Sequence, residues 1–327
     1  AGYFCLLPFA FLMKVDLPDI YNAATTFVDE NIRQGRGKKT AIYFQDEKFT
    51  YQDLFERVNQ TGNCLKELGV ELEQRILLVL PDSPEFAFSF FGAIKIGAVP
   101  IPTNPWMQAK DYEYLLQDSR ARILIVHESV LPEAERIWDR SRFLRHVLVA
   151  GKPKGRALSF ESLVDKASNR LEAEPTSKDD VVMWNYTSGS TGTPKGAVHL
   201  HHDMITITDL FAKPVLGMGE EDICFSASKL FFSYGLGNSL YFPFRFGASS
   251  VLWPERPEPE KVLQVIQKYR PTFFFSVPTL YARLLRVEKK YDLSSIRICL
   301  SSGEPLPPTL FHQWKDKFGL ELLDVVG

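Results

Sequence analysis

A segment rich in glycine, hydroxyl side chains and lysine has the composition of a phosphate-binding loop. It runs from Tyr186 to Gly196 and reads YTSGSTGTPKG. Glycine permits the positive φ angles that let successive backbone N–H groups point into one concavity, and such concavities bind anions. The serine and threonine hydroxyls add neutral donors, and Lys195 adds a positive charge. The segment therefore predicts a cradle for phosphate oxygens.

The spacing of this segment excludes two widespread phosphate-binding loops. A P-loop, GxxxxGK[ST], fails because Pro194 stands five residues after Gly189 and because Gly196 follows Lys195. The dinucleotide fingerprint GxGxxG fails because Thr191 stands two residues after Gly189. A kinase or P-loop ATPase is thus disfavoured. The alternative is a flexible hairpin without a ligand, but the apolar stretches VVMWN before the segment and AVHL after it favour the phosphate loop.

The elements that must position this loop alternate between strands and amphipathic helices. Thr50 and Asp53 have the spacing of a capping box, and apolar residues at helical spacing follow until Gly69. Ser83 and Pro84 open a second helix that is almost wholly apolar, which predicts that it is buried.

The predicted strands cover 75–80, 123–126, 147–149, 181–184, 250–252, 272–277 and 296–300. Further helices are predicted over 262–269 and from Pro278. This alternation predicts an α/β fold of mostly parallel sheets with helices on both faces. Ligands of such sheets bind at the carboxyl ends of the strands, so we expect the unusual loops to lie there.

The composition is that of a globular protein without a general affinity for polyanions. Hydrophobic residues make up 45% and charged residues 24%, and 25 phenylalanines provide for a large core or an aromatic pocket. The net charge of −2 predicts no nucleic-acid partner and no attraction to anionic membranes. Residues 1–12, AGYFCLLPFAFL, are apolar but too short to span a bilayer, and we interpret them as a leader that was added or mistranslated.

The four cysteines predict reduced thiols. Cys5, Cys64, Cys224 and Cys299 are scattered and show neither a CxxC pair nor a zinc-finger spacing. Scattered single cysteines in a large chain are typical of cytoplasmic proteins, which is the location we expect. A catalytic cysteine with a histidine partner is the less favoured alternative.

The loop YTSGSTGTPKG resembles the signature of the adenylate-forming superfamily, which includes acyl-CoA synthetases, peptide-synthetase adenylation domains and beetle luciferases. The resemblance extends through GAVPIPTNP at 97–105 and covers the chain from about residue 20 to its end. It implies that the pyrophosphate portion of ATP contacts Thr187, Ser188, Gly189, Ser190, Thr191, Gly192 and Lys195.

Two later segments agree with this resemblance. SSGEPLP at 301–307 resembles the adenine-binding turn of the superfamily, with Gly303, Glu304 and Pro305 along the purine; the alternative is a plain helix entry. SASKLFFSYGLGN at 226–238 lies where the superfamily lines its acyl pocket, and it resembles benzoate–CoA ligases most. The implied pocket residues are Ala227, Phe232, Tyr234, Gly235, Ser301 and Ser302.

In this pocket, Gly235 and Gly237 would leave space that a side chain would otherwise fill, and aromatic side chains would flank a flat ring. The alternative is that FFSYGLG is a helix entry packed in the core. Lys229 either attracts a carboxylate or is exposed, and we expect it to be exposed.

The histidines in HLHH, at positions 199, 201 and 202, invite a metal site. No cysteine or carboxylate joins them at ligand spacing, so we expect no metal, and we expect His202 to begin a helix.

The resemblance implies two intertwined α/β subdomains, one of residues 13–69 with 213–327 and one of residues 70–212. It implies activation of an aromatic carboxylic acid, with ATP, Mg²⁺ and CoA as co-substrates and cofactors, and it leaves a homo-oligomer open. The acid attacks the α-phosphorus, pyrophosphate leaves, and the CoA thiol then attacks the acyl-adenylate.

The Thr-Glu pair, the catalytic lysine and the C-terminal domain of the superfamily would all follow Gly327. We therefore expect no catalytic residue within the chain, and we expect binding without turnover. Two alternatives stay open: another aryl- or acyl-CoA ligase or aryl adenylation domain, and a non-catalytic module that binds nucleotide or acyl-adenylate.

Overall fold

A computed structural model of the chain describes residues 15–187 and 192–325. Within them, a seven-stranded sheet has the order β14-β13-β12-β10-β11-β1-β2 and is parallel except for the β1–β2 pair. Its strands are β1 (Thr40–Phe44), β2 (Glu47–Thr50), β10 (Ile223–Ser226), β11 (Ser249–Leu252), β12 (Phe273–Ser276), β13 (Ile298–Ser301) and β14 (Leu322–Asp324).

A second sheet of five strands is wholly parallel, in the order β4-β3-β5-β6-β7. Its strands are β3 (Arg75–Val79), β4 (Val99–Pro102), β5 (Ile123–His127), β6 (His146–Ala150) and β7 (Leu158–Ser159). A separate antiparallel pair consists of β8 (Val181–Thr187) and β9 (Lys195–Leu200).

The helices of the described residues lie before β1 or in the connections between the strands. They are α1 (Glu30–Arg33), α2 (Tyr51–Glu67), α3 (Pro84–Lys95), α4 (Ala109–Ser119), α5 (Leu131–Ala134), α6 (Phe160–Val164), α7 (His201–Ile207), α8 (Ser233–Leu236), α9 (Phe242–Phe246), α10 (Pro259–Tyr269), α11 (Pro278–Leu285) and α12 (Pro308–Phe318). Shorter π and 3-10 turns cover Thr25–Asp29, Glu128–Val130, Thr208–Ala212 and Gly237–Tyr241.

Side-chain alternation in the strands arranges the core in layers. In β3, Ile76 and Leu78 pack on one side of the sheet, whereas Leu77 and Val79 pack on the other. The first side shares a cluster with α2, α3 and one face of the seven-stranded sheet, so these two helices lie between the sheets. Helix α4 covers the outer face of the smaller sheet, and α10 to α12 cover that of the larger one.

The predicted α/β fold with mostly parallel sheets is confirmed, as are several local signals. Thr50 caps α2 through a capping box with Asp53, and the Thr50 side chain accepts a hydrogen bond from the Asp53 N–H. The apolar helix begins at Pro84 and is buried along its length except at Glu85. None of the helices in the described ranges is long and apolar enough to cross a membrane.

Candidate functional site

The predicted phosphate loop joins two antiparallel strands. In this hairpin, Thr187 pairs with Lys195 and Tyr186 pairs with Gly196, and both Thr187 and Lys195 are exposed. The expectation that the loop follows a strand of a parallel sheet is therefore wrong: VVMWNYT pairs locally with KGAVHL instead. A hairpin can still be a phosphate loop. The strand register brings the Thr187 hydroxyl and the Lys195 ammonium group to the same end of the hairpin, next to the loop.

Four of the predicted phosphate ligands, Ser188, Gly189, Ser190 and Thr191, lie outside the described residues. Gly192 is described and exposed, and it has a φ of +86°. That angle lies in the left-handed region that favours glycine, as the composition of the loop predicted.

Helix α4 braces the hairpin from the side. The Tyr114 hydroxyl donates to the Pro194 carbonyl at 2.9 Å, next to Lys195. The Tyr186 hydroxyl donates to a carboxylate oxygen of Asp118 at 2.6 Å. Burial and the neighbouring Asp118 carboxylate raise the pKa of Tyr186, so the phenol keeps its proton and the bond persists. These contacts fix both strands next to the loop.

A buried asparagine connects the hairpin to the predicted acyl segment. Asn185 lies in β8, two residues before Thr187, and its Nδ2 donates to the Ser233 Oγ at 2.6 Å. Ser233 is the first residue of α8. The sequence analysis missed Asn185; its signal is a polar residue within an apolar strand directly before the glycine-rich loop.

The next residue of α8 connects the acyl segment to the predicted adenine turn. The Tyr234 hydroxyl donates to the Leu300 carbonyl in β13 at 3.0 Å, and burial raises the pKa of Tyr234. Ser302 follows β13, and its N–H donates to the Ser276 carbonyl at 3.3 Å. The three segments singled out from sequence thus meet through two side-chain hydrogen bonds, Asn185–Ser233 and Tyr234–Leu300.

The predicted adenine turn lies at the carboxyl end of β13. Gly303 has a φ of +86°, and Gly303, Glu304 and Pro305 are exposed. Helix α12 begins only at Pro308. The turn is therefore an accessible surface at a strand end, where parallel sheets bind ligands.

The predicted acyl-pocket residues divide between two faces of the sheet. Tyr234 packs against the inner face, its ring 6.5 Å from that of Phe275 in an edge-on geometry. Ala227 belongs to the buried cluster on the outer face, with α10 to α12. Ser301 follows the outer-facing Cys299 by two residues, so alternation places its side chain on that face as well.

Phe232 stays a predicted pocket residue, whereas the expected space beside two glycines needs correction. Phe232 is 55% exposed, and its ring lies 4.4 Å from that of Phe231, on the surface. A Cβ at Gly235 would lie 2.4 Å from the carbonyl oxygen of Ser228 and 2.2 Å from that of Lys229. The space beside Gly235 is thus filled by backbone, and the expectation that this glycine leaves room for a ring is wrong. The space beside Gly237 is likewise bounded by the Tyr241 ring, whose hydroxyl would lie 3.1 Å from an added Cβ.

Lys229 is buried, so the expectation that it is exposed is also wrong. Its Nζ lies 3.4 Å from the Asp82 Oδ2 and donates to the Trp253 carbonyl. The other oxygen of Asp82 accepts a hydrogen bond from the Leu230 N–H at 3.0 Å. Burial raises the pKa of Asp82, and Lys229 opposes that shift. The pair fastens the acyl segment to the loop that follows β3.

The histidines of HLHH have structural partners. Helix α7 begins at His201, one residue before the predicted start, and His201 Nδ1 accepts a hydrogen bond from the Ala23 N–H at 3.0 Å. His202 lies 3.1 Å from Asp179 and from Asp203. Within residues 15–187 and 192–325, no group of three histidine, cysteine, aspartate or glutamate side chains has the arrangement of a metal site.

The described cysteines, Cys64, Cys224 and Cys299, are buried and not disulfide-bonded. Burial raises the pKa of Cys64 to about 11 and that of Cys299 to about 12. These thiols are protonated at neutral pH, and they lack the thiolate character of a nucleophile. Cys5 lies outside the described residues.

Comparison with known families decides which protein type this site belongs to. The model of the family described as "AMP-binding enzyme" matches residues 28–327. The chain belongs to the AMP-binding enzyme family. The matched range contains every candidate site residue named above, so the resemblance first seen in the hairpin loop is confirmed.

Relatives within the AMP-binding enzyme family include ligases of aromatic acids. The chain is 42% identical to benzoate–CoA ligase of Thauera aromatica over 96% of its own length and 60% of that protein. Among solved structures, the anthranilate CoA ligase AuaEII, in complex with anthranoyl-AMP, superposes with a TM-score of 0.94 at 39% identity. That match covers 96% of this chain and 61% of the other.

A benzoate CoA ligase from Burkholderia xenovorans superposes with a TM-score of 0.87 at 36% identity, over 94% of this chain and 61% of that one. The chain thus spans about 60% of the length of the curated relative and of these two structures.

Proposed function

We propose that this chain forms the acid- and nucleotide-binding part of an enzyme that activates an aromatic carboxylic acid with ATP, first as an acyl-adenylate and then as a CoA thioester. One observation carries the proposal. The hydrogen bonds Asn185–Ser233 and Tyr234–Leu300 join the hairpin loop, the acyl segment and the strand that leads to the adenine turn. These bonds bring together three segments that lie far apart in sequence, which supports a shared site.

The hairpin would hold the triphosphate of ATP. Thr187 and Lys195 are paired and exposed, and Gly192 gives the backbone a turn that L side chains disfavour. A carboxylate approaches a polyanion only when charge is neutralised and the reactants are held in line. Lys195 would supply the charge and Thr187 a hydroxyl donor, and Ser188, Gly189, Ser190 and Thr191 would complete the cradle.

Other groups around the junction would complete the site. Gly303, Glu304 and Pro305 would lie along the adenine. Asn185 Oδ1 is buried and has no hydrogen-bond partner among the described residues. Buried polar atoms generally have a partner, so this oxygen fits a polar ligand. The remaining pocket candidates are Tyr234, on the inner face of the seven-stranded sheet, and Ser302, directly after β13.

In the reaction, the acid carboxylate attacks the α-phosphorus and pyrophosphate leaves. The CoA thiolate then attacks the acyl carbonyl, and AMP leaves. Mg²⁺ supplies charge neutralisation when it is bound to the nucleotide. The described residues contain no group of three histidine, cysteine, aspartate or glutamate side chains that could hold a metal ion by themselves.

An aromatic acid is favoured over other acids by the relatives. Benzoate–CoA ligase and an anthranilate CoA ligase are similar to this chain over almost its whole length. The edge-on contact of Tyr234 with Phe275 shows that the inner face of the sheet is aromatic beside the site, a surface that suits an aryl ring.

Calorimetric titration of the chain tests this proposal. The probes are the non-hydrolysable benzoyl and acetyl sulfamoyl-adenosines, with AMP as the reference. We expect the benzoyl analogue to bind about tenfold more tightly than the acetyl analogue, because burial of a ring adds apolar contact. Equal affinities would contradict the aromatic specificity, and absence of binding by all three would contradict the whole proposal.

A further inference from the structure

A second concentration of charge lies at the amino-terminal edge of the five-stranded sheet. A pocket of about 500 Å³ there is lined by Arg75, Arg120, Arg122, Arg142, Phe143 and Arg145. This edge is opposite to the carboxyl ends of the strands. Neither Thr187 nor Lys195 lines the pocket, so it is distinct from the proposed nucleotide site.

The strand register fixes three of the arginines side by side. The Arg122 N–H donates to the Arg75 carbonyl at 2.9 Å, and the Arg145 N–H donates to the Arg122 carbonyl at 2.8 Å. Neighbouring strands are about 4.8 Å apart, so three guanidinium groups start from adjacent backbone positions. Their proximity follows from the backbone hydrogen bonds between these adjacent strand starts.

Three of the five arginine side chains are oriented by neutral groups. The Arg142 guanidinium lies 4.7 Å and that of Arg120 5.7 Å from the centre of the Phe143 ring. Arg75 donates from Nε to the Ser119 carbonyl at 2.8 Å and from Nη1 to the Glu73 carbonyl at 3.0 Å. Carbonyl oxygens and an aromatic face orient the guanidinium groups without neutralising them.

Carboxylates do not balance this cluster within the described part of the chain. None of the five arginines forms an ion pair there, although many other arginines do. Burial, with the positive charges of Arg120 and Arg122, lowers the pKa of Arg75, while Glu73 partly opposes that shift. Like charges held together in a concave surface destabilise the protein unless an anion binds between them.

We propose that this pocket is a binding site for a small phosphate anion that carries at least two phosphoryl groups. Guanidinium groups bind phosphate oxygens through paired, charge-assisted hydrogen bonds, and a row of three matches a chain of phosphates better than a single one. The same chemistry is presented by free inorganic pyrophosphate and by the diphosphate of a nucleotide.

Calorimetric titration of sodium pyrophosphate into the chain, at fixed ionic strength, tests the site. We expect saturable binding that the double variant Arg122→Gln/Arg145→Gln weakens about tenfold or more, because each charged hydrogen bond contributes strongly. Arg286→Gln removes an exposed arginine elsewhere and should leave the affinity unchanged. Lys195→Ala changes the proposed nucleotide site, and this variant should still bind pyrophosphate saturably. Adding Arg122→Gln/Arg145→Gln to Lys195→Ala should weaken that remaining binding.

Further arms identify the source of the anion. Tighter binding of pyrophosphate than of ADP would favour the inorganic anion as the ligand. Tighter binding of ADP would favour a nucleotide. Either result supports the site. Comparable binding of orthophosphate or citrate would overturn the requirement for linked phosphates. Absence of saturable binding, or an equal loss in Arg286→Gln, would overturn the site itself.

Unfolding curves of the double variant show whether it folds. The conservative variant Arg122→Lys/Arg145→Lys keeps the charges and should retain more affinity for pyrophosphate than the glutamine pair.

Discussion

Among single residues, Lys195 makes the most direct contribution to the proposed nucleotide site. It is exposed at the open end of the hairpin, opposite Thr187. We expect Lys195→Ala to lower ATP affinity about tenfold, because a charge-assisted hydrogen bond to phosphate is lost. Titration calorimetry measures this, with Lys166→Ala as the matched removal of an exposed lysine. Equal losses in both variants would assign the effect to net charge alone.

Lys229 has a different role, since it is buried beside Asp82. Lys229→Met leaves a buried carboxylate without its partner, and we expect it to lower the free energy of unfolding by about 3–5 kcal/mol. The double variant Lys229→Met/Asp82→Asn should recover most of this loss, since neither charge remains. Urea denaturation measures both, and a double variant as unstable as the single one would show that packing, not charge, dominates.

At the scale of elements, helix α8 depends on close backbone contact. Gly235 faces the carbonyl oxygens of Ser228 and Lys229, with no room for a Cβ. Gly235→Ala should push α8 off this loop and destabilise the protein by about 1–3 kcal/mol. Because α8 carries Ser233 and Tyr234, binding of the benzoyl analogue should weaken as well.

Gly219→Ala is the matched control for this substitution. An added Cβ at Gly219 would meet only the Asp222 Oδ2, at 4.0 Å, and the backbone there is not left-handed. We expect this variant to keep both stability and affinity in urea denaturation and calorimetry. If both alanine variants behave alike, the close contact at Gly235 is not required.

Local signals in the sequence predicted the elements well, and pairing between distant segments accounts for what they missed. The capping box at Thr50 and the entry at Pro84 act within one helical turn, so they can be recognised from a few residues. The antiparallel partner of β8 cannot, because an apolar run does not specify which strand it joins. Lys229 was misjudged for the same reason: its partner, Asp82, lies far away in sequence.

The scale of the whole molecule explains how the site stays together. The seven-stranded sheet combines strands from two parts of the chain. Strands β1 and β2 precede the five-stranded sheet in sequence, and β10 to β14 follow it. Helices α2 and α3 fill the layer between the sheets. The subdomain boundaries at 69/70 and 212/213 stay a prediction. The candidate site depends on contacts between residues 70–212 and residues 213–327. Two of these contacts are Asn185–Ser233 and Lys229–Asp82.

The contact between His201 and Ala23, which are far apart in sequence, should make the stability of the protein depend on pH. His201 is 1% exposed, its Nδ1 accepts the Ala23 N–H, and burial lowers its pKa to about 4. The unfolded imidazole has a pKa of about 6.5, so between these values the unfolded chain binds a proton that the folded chain excludes. The stability that depends on a neutral His201 is therefore fully present above pH 6.5 and is lost as the pH falls toward 4.

From pH 7 to pH 5 we expect the free energy of unfolding to fall by about 2 kcal/mol through this group. Urea denaturation at the two pH values measures the change. Carboxyls with lowered pKa values, such as Asp222, titrate below this window and contribute little to it. His201→Asn places an amide oxygen near the Nδ1 position and should flatten the dependence, whereas His312→Gln, at an exposed site, should retain it. His201 joins the amino-terminal segment to α7. An unchanged slope in His201→Asn would therefore show that protonation of this buried imidazole is not what destabilises the fold between pH 7 and pH 5.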